Sequence, residues 1–237
     1  MISTRALINS LVWSLALNPN VAHTMTMLSP QDHKAITTDL LFEYCISDSD
    51  LQLTKYILNC GAVISAYNAL GKTPLQCAAS NAAVNTVQCL LELGAPVNQT
   101  DHDNETCALI SAIESECLEK ISKHYYIHKP FGPTISMLLR FGADANQQCG
   151  YDKKTPLMQV ASAANMIPSE RKRIKRAQEL LKSGALKYLT DRYGQTAHTY
   201  AKNSEFCQLA ELLDDHIIDT SPTPTSSQIN LKIEVKK

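Results

Sequence analysis

The sequence has little of what usually announces an activity. Only eight glycines occur in 237 residues, and none sits in a phosphate-cradling loop of the kind that opens a nucleotide-binding helix. No spaced carboxylate pair marks a cleft, and no Ser or Cys nucleophile has a placed base, so no catalytic constellation emerges. Excess charge is lacking too: 22 Lys and Arg against 23 Asp and Glu leave a formal net charge of −1. That excludes a protein dominated by long-range attraction to nucleic acid or anionic membrane and leaves only local contacts of that kind. The eight cysteines contain no CxxC pair. Cys45, Cys77 and Cys107 fall on buried helical positions, so the set reads as reduced core thiols of a reducing compartment. Long apolar runs are absent. The longest, Ala6 to Leu17, is interrupted by Asn9, Ser10 and Ser14 and is too short and too polar to span a bilayer. Arg5 precedes it, but no small-residue cleavage site follows, which argues against a signal peptide.

What is present is concentrated in residues 61 to 98. Thr73 suits an N-cap and Pro74 the first helical position, where its missing N–H costs nothing. Leu75, Ala78 and Ala79 form the inner side of that helix, and the alanines are small enough for a second helix to lie close against them. The second helix is expected over Val84 to Leu93, with Val87, Leu90 and Leu91 inward and Gly94 as a left-handed stop.

These landmarks recur. Gly-Ala appears at Gly61, Gly94, Gly142 and Gly184, each after an apolar pair, and the glycines are 33, 48 and 42 residues apart. Thr73-Pro74-Leu75 is echoed by Thr106-Cys107-Ala108, Thr155-Pro156-Leu157 and Thr196-Ala197-His198. GKTPLQCAA followed by LLELGAPVN resembles the ankyrin repeat, with both halves at that family's separation. The resemblance implies an all-α solenoid of about five helix-turn-helix units, with an N-terminal capping helix and a flexible C-terminal tail. The divisions are residues 1–37 for the helical cap, 38–216 for the array (about 38–66, 67–100, 101–148, 149–190 and 191–216) and 217–237 for the tail. Longer spacings imply insertions between the helices of the third unit, around Glu114 to Pro133, and of the fourth, around Ala164 to Arg173.

Along the chain, Leu7, Ile8, Leu11, Val12 and Leu15 share one helical face, as a lid for the first unit would. Ser29-Pro30 with Asp32 marks another helical start. Phe42, Cys45, Leu53, Ile57 and Leu58 supply the inward face of the first unit. The third unit's insertion carries Cys117, His124 and His128. The histidines, four apart, could share a helical face with a metal, but a metal site needs three or four ligands with orienting partners. A solvated extension is the better reading, and no metal or cofactor is expected. The same insertion holds Tyr125, Tyr126, Pro130, Phe131 and Pro133, expected to pack on the scaffold. Arg171, Lys172, Arg173, Lys175 and Arg176 form the densest basic cluster, read as the solvated start of a helix; contact of 171–176 with nucleic acid or acidic lipid is not expected. The last unit departs from the pattern, with His198 in place of leucine and no closing Gly-Ala, as befits a terminal cap. TSPTPTSS then reads as a linker, and Ile229, Leu231, Ile233 and Val235 alternate as in a strand.

The family resemblance implies a non-enzymatic module that binds a partner protein through a concave surface lined by first helices and projecting turns. In that architecture the residues just before each helix-one threonine are fingertips: Ala69, Leu70 and Lys72; His102, Asp103 and Glu105; Tyr151, Asp152 and Lys153; Arg192 and Tyr193. Tyrosine and arginine are the types that dominate binding energy at interfaces. Arrays with such insertions and a polar tail resemble effectors that intracellular bacteria deliver into host cells. A cytosolic adaptor in its own organism is the alternative, and a metal-dependent enzyme using the 115–132 insertion is the alternative of another class. The expected location is cytoplasmic, in the producing cell or, after secretion, in a host.

Overall fold

The computed structural model describes residues 30–46, 51–118, 131–162 and 170–214. The helical face expected from Leu7 to Leu15, His124, His128, Tyr125, Tyr126 and the tail from 217 all lie outside the described residues. Within them, ten helices form five consecutive pairs: α1 (Pro30–Ile46) and α2 (Leu51–Asn59), α3 (Pro74–Ser80) and α4 (Val84–Glu92), α5 (Ala108–Leu118) and α6 (Phe131–Arg140), α7 (Pro156–Ala161) and α8 (Glu170–Lys182), α9 (Ala197–Asn203) and α10 (Cys207–Leu213). First helices pack on first helices along the row α1, α3, α5, α7, α9. Among the described residues β pairing is confined to the isolated bridges Thr100 to Cys107 and Cys149 to Lys154. The chain is therefore an all-helical solenoid. Residues 37 and 38 both lie inside α1.

Local chemistry starts three of the first helices. The Thr73 hydroxyl accepts from the Gln76 N–H at 3.2 Å while Gln76 Oε1 accepts from the Thr73 N–H at 2.7 Å, a reciprocal cap that satisfies two otherwise orphaned donors. Thr155 and Thr196 accept from Met158 N–H and Thr199 N–H, each at 3.3 Å. The third unit differs. Thr106 lies two residues before α5, and its hydroxyl is shared with Ser111 Oγ at 3.2 Å. Cys107 takes the place that Pro74 has in the second unit and is buried there.

Leu75, Ala78 and Ala79 are buried, as are Val87, Leu90 and Leu91 across from them. Ile135, Leu138, Leu157, Leu180, Leu209 and Leu213 continue the apolar seam; each such side chain removed from water contributes about 1.5–3 kcal/mol. Gly94 and Gly142 end α4 and α6 with φ of +87° and +89°. The turn that follows is tied to the next unit by an asparagine. Asn98 donates to Gly142 O at 3.1 Å and accepts from Asp144 N–H at 2.8 Å, and Asn146 repeats this with Gly184 O and Leu186 N–H at 2.9 and 2.8 Å.

Two expectations are corrected here. The third unit's insertion does not start at Glu114: α5 continues to Leu118, Phe131 is buried in the first turn of α6, and Glu116 is buried with 7% of its surface exposed. Nor is the basic cluster wholly solvated, because Arg173, 2% exposed, and Arg176 both turn inward. Arg173 Nη1 donates to Val160 O at 2.6 Å and its guanidinium lies 4.6 Å from the centre of the Phe206 ring. Arg176 Nε and Nη2 grip the two oxygens of Glu116 at 2.7 and 2.9 Å, and Nη1 takes Glu179 at 2.7 Å. A charge can be buried when paired and hydrogen-bonded in this way.

Candidate partner-binding surface

Between successive pairs the chain makes a tight turn that projects ahead of each first helix, built by one side-chain acceptor used three times. Asn68 Oδ1 accepts from the N–H of Leu70 and Lys72 at 2.9 and 3.0 Å. Asp101 Oδ1 does the same for Glu105 and Thr106 at 2.6 and 3.1 Å, and Asp191 Oδ1 for Tyr193 and Gln195, both at 2.8 Å. A short acceptor that closes its own turn is what Asn and Asp provide. In the remaining turn Gly150 stands at this position, and Gln148 Nε2 donates to Lys153 O at 3.0 Å and across to Thr190 O at 2.9 Å.

Backbone bonds then join each turn to the next. His102 N–H donates to Gly71 O at 2.9 Å, Gly150 N–H to Asn104 O at 3.0 Å, and Arg192 N–H to Asp152 O at 2.8 Å. The turns form a ladder with their polar backbone largely committed, so tip side chains are not needed to hold it. Leu70 is 80% exposed, Tyr151 68% and Tyr193 61%. His102, Asp103, Glu105, Lys153 and Arg192 are exposed as well, while Lys72 and Asp152 are half-buried. Neighbouring tips touch: the Arg192 guanidinium lies 3.9 Å from the centre of the Tyr151 ring, within cation–π range.

Residues that sequence reasoning passed over lie beside the tips. Tyr67 meets the His102 ring edge-on with centroids 6.0 Å apart, and His102 Nδ1 is 3.2 Å from Asp103 Oδ1. Lys153 has φ +55° and stands where Gly71 and Gly194 make their turns, at φ +71° and +75°. Lys154, not Lys153, is therefore the counterpart of Lys72 and Glu105, one residue before the threonine. The Lys154 ammonium lies 5.1 Å from the centre of the Tyr200 ring and 3.4 Å from Asp152 Oδ2. Tyr200 Oη donates to Asp191 Oδ2 at 2.6 Å. Burial works against the Asp191 charge, but this bond and the N–H groups of Gln195 and Tyr193 hold its carboxyl below the usual aspartate range. Glu114 accepts from Gln159 Nε2 at 2.9 Å; burial pushes its carboxyl up, against the pull of Lys72 and Lys154.

Among the described residues no group of three or more His, Cys, Asp and Glu is arranged to hold a metal ion, and none of the described cysteines is in a disulfide. Burial raises the thiol of Cys45 well above its ordinary value and also raises that of Cys77, which leaves them poor nucleophiles. No described helix is long and apolar enough to cross a membrane. A shallow pocket of about 190 Å³ lies on the last unit, lined by His198, Phe206, Cys207 and Ala210 among others; it is smaller than typical ligand pockets.

A family model described as ankyrin repeats (3 copies) matches residues 41–130. The chain is 28% identical over 153 residues to the ankyrin repeat, SAM and basic leucine zipper domain-containing protein 1 of Dasypus novemcinctus, covering 65% of this chain and 29% of that protein. It thus spans less than a third of that relative's length. It is also 28% identical over 187 residues to "Putative ankyrin repeat protein YahD" of Escherichia coli (strain K12), covering 69% of this chain and 89% of the relative. Residues 41–130 thus carry ankyrin repeats, and the threonine-started helix pairs, their left-handed stops and the ladder of turns continue beyond them in the same form through α10.

Proposed function

We propose that the chain is a non-enzymatic module that grips one partner protein through the fingertip row and the inner surface behind it, using Leu70, Lys72, His102, Asp103, Glu105, Tyr151, Asp152, Lys153, Arg192 and Tyr193. One observation carries this reading: Tyr151 and Tyr193 stay largely exposed on turns that side-chain caps and backbone rungs already hold together. Large side chains kept in water on a stiff scaffold lose little entropy on being covered, which favours affinity. Ankyrin repeats as a family act in protein–protein interaction and are typically non-enzymatic. Affinity purification with the full chain as bait, followed by mass spectrometry, names the partner; the double variant Tyr151→Ala/Tyr193→Ala must then lose it. Retention by the double variant removes the fingertip site.

The finer setting we propose is delivery into the cytoplasm of a host cell, with an adaptor in the producing cell as the alternative. The irregular insertions and the polar TSPTPTSS stretch support it. Detection of the protein outside the producing cell, lost when residues 221–237 are removed, supports export. Exclusive retention in the producing cell favours the adaptor.

A further inference from the structure

The basic cluster of the sequence separates in the structure. Arg173 and Arg176 turn inward, whereas Arg171, Lys175 and Lys182 are exposed and line one outward stripe of α8, with Gln178 between them. Arg140 holds in α6 the place that Lys182 holds in α8, two residues before the terminating glycine. Ion pairs among the described residues involve none of these four. The acids close to them in sequence are engaged elsewhere. Glu170 accepts from the N–H of Gln208 and Leu209 at 2.8 and 3.2 Å, Glu179 is taken by Arg176, and Asp144 accepts from Asn146 N–H at 2.8 Å.

Apolar side chains accompany these cations. Phe141, 41% exposed, follows Arg140, and Tyr188, 64% exposed, stands beyond Lys182 with Leu186. Leu93, also exposed, is the counterpart of Phe141 one unit earlier. Asn98 and Asn146 bond the backbone at Gly142 and Gly184, so the ends of successive second helices, with Phe141 beside the first glycine and Lys182 two residues before the second, follow one edge of the array. Cations on long stems beside exposed aromatic and aliphatic groups suit an anionic lipid interface: the charges stay among headgroups while the rings enter the acyl boundary. An acidic peptide would match the cations but leave the rings without a role. The balanced net charge confines the attraction to contact distance, about one Debye length.

We propose that this edge of the array, formed by Arg140, Arg171, Lys175 and Lys182 with Phe141 and Tyr188, docks on an anionic membrane surface. None of these residues belongs to the fingertips, so the seat on the bilayer leaves the partner surface open. The test is sedimentation of the full chain with phosphatidylcholine vesicles, with and without about 30% phosphatidylserine, at about 0.1 M salt. Binding is expected with the anionic vesicles only, weakened at least about tenfold by Arg171→Glu/Lys175→Glu/Lys182→Glu and by Phe141→Ser/Tyr188→Ser. Gln replacements at the three cations, which spare the fold more, should weaken it in the same direction. Tyr151→Ala/Tyr193→Ala should bind vesicles as the unaltered chain does, which separates this test from that of the fingertip site. Absence of vesicle binding, binding that the α8 variants leave unchanged, or binding to nucleic acid or an acidic protein alone overturns the proposal.

Discussion

Arg176 of α8 holds both carboxylate oxygens of Glu116, sixty residues earlier in the chain, at 2.7 and 2.9 Å. The guanidinium sits against Gly132, where an added Cβ would come within 2.6 Å of Nη2. Arg176 thus joins α5, α6 and α8. Removing one partner leaves a buried charge uncompensated, so Glu116→Ala should destabilise by about 3 kcal/mol, read by urea unfolding. The double variant Glu116→Leu/Arg176→Met should recover most of that loss. For the same reason, cutting Ser115 to Gly132 down to a tight turn should abolish cooperative unfolding, since it removes Glu116 and the buried Phe131.

Gly94 and Glu205 make a matched pair. Both have left-handed backbone, φ +87° and +60°, and an added Cβ at Gly94 meets nothing within 4 Å. Strain at Gly94 would be purely conformational, so Gly94→Ala should cost about 1 kcal/mol and Gly94→Val more. Glu205→Gly relieves the same strain and should stabilise by about 0.5 kcal/mol. Thermal unfolding of the three variants checks both signs.

Once a partner is in hand, Tyr151→Ala/Tyr193→Ala should weaken binding at least tenfold, about 1.4 kcal/mol. The melting temperature should hardly move, because the rungs use backbone atoms. Arg192→Ala, which removes the cation over Tyr151, should lower affinity by a smaller factor.

Asp191 provides a pH test. Its carboxyl titrates below the ordinary aspartate value in the folded chain, so its contribution is fully present above the unfolded pKa of about 3.9. It is lost as pH falls through the lower folded value. Asp191→Ala should therefore cost about 2 kcal/mol at about pH 7, and the gap should close in acid. Melting temperatures of both proteins against pH measure it.

Much of the second unit was legible because its rules are local. Thr73 caps, Pro74 fits the first turn, and Gly94 stops the helix, each decided by neighbours a few residues away. The fates of Arg173 and Arg176 were not legible, since Val160, Glu116 and Phe206 lie far off in sequence and charge alone reads as solvated. The fingertip register slipped by one at Lys153 because lysine occupies a left-handed position that glycine fills in two other turns. Tyr200 and Lys154 escaped notice because their pairing arises only when two units stack.

The glycines that mark the units stand 33, 48 and 42 residues apart, yet each junction from Gly71 to Arg192 carries one backbone rung. Nearly all of the extra chain enters between the two helices of a unit; from glycine to the next threonine the count stays at twelve, with a single added residue between Gly142 and Thr155. The fingertips thus act as a ruler whose marks are set by stacking distance rather than by sequence length. A segment can be lengthened at the far side of a unit without rescaling what a partner measures.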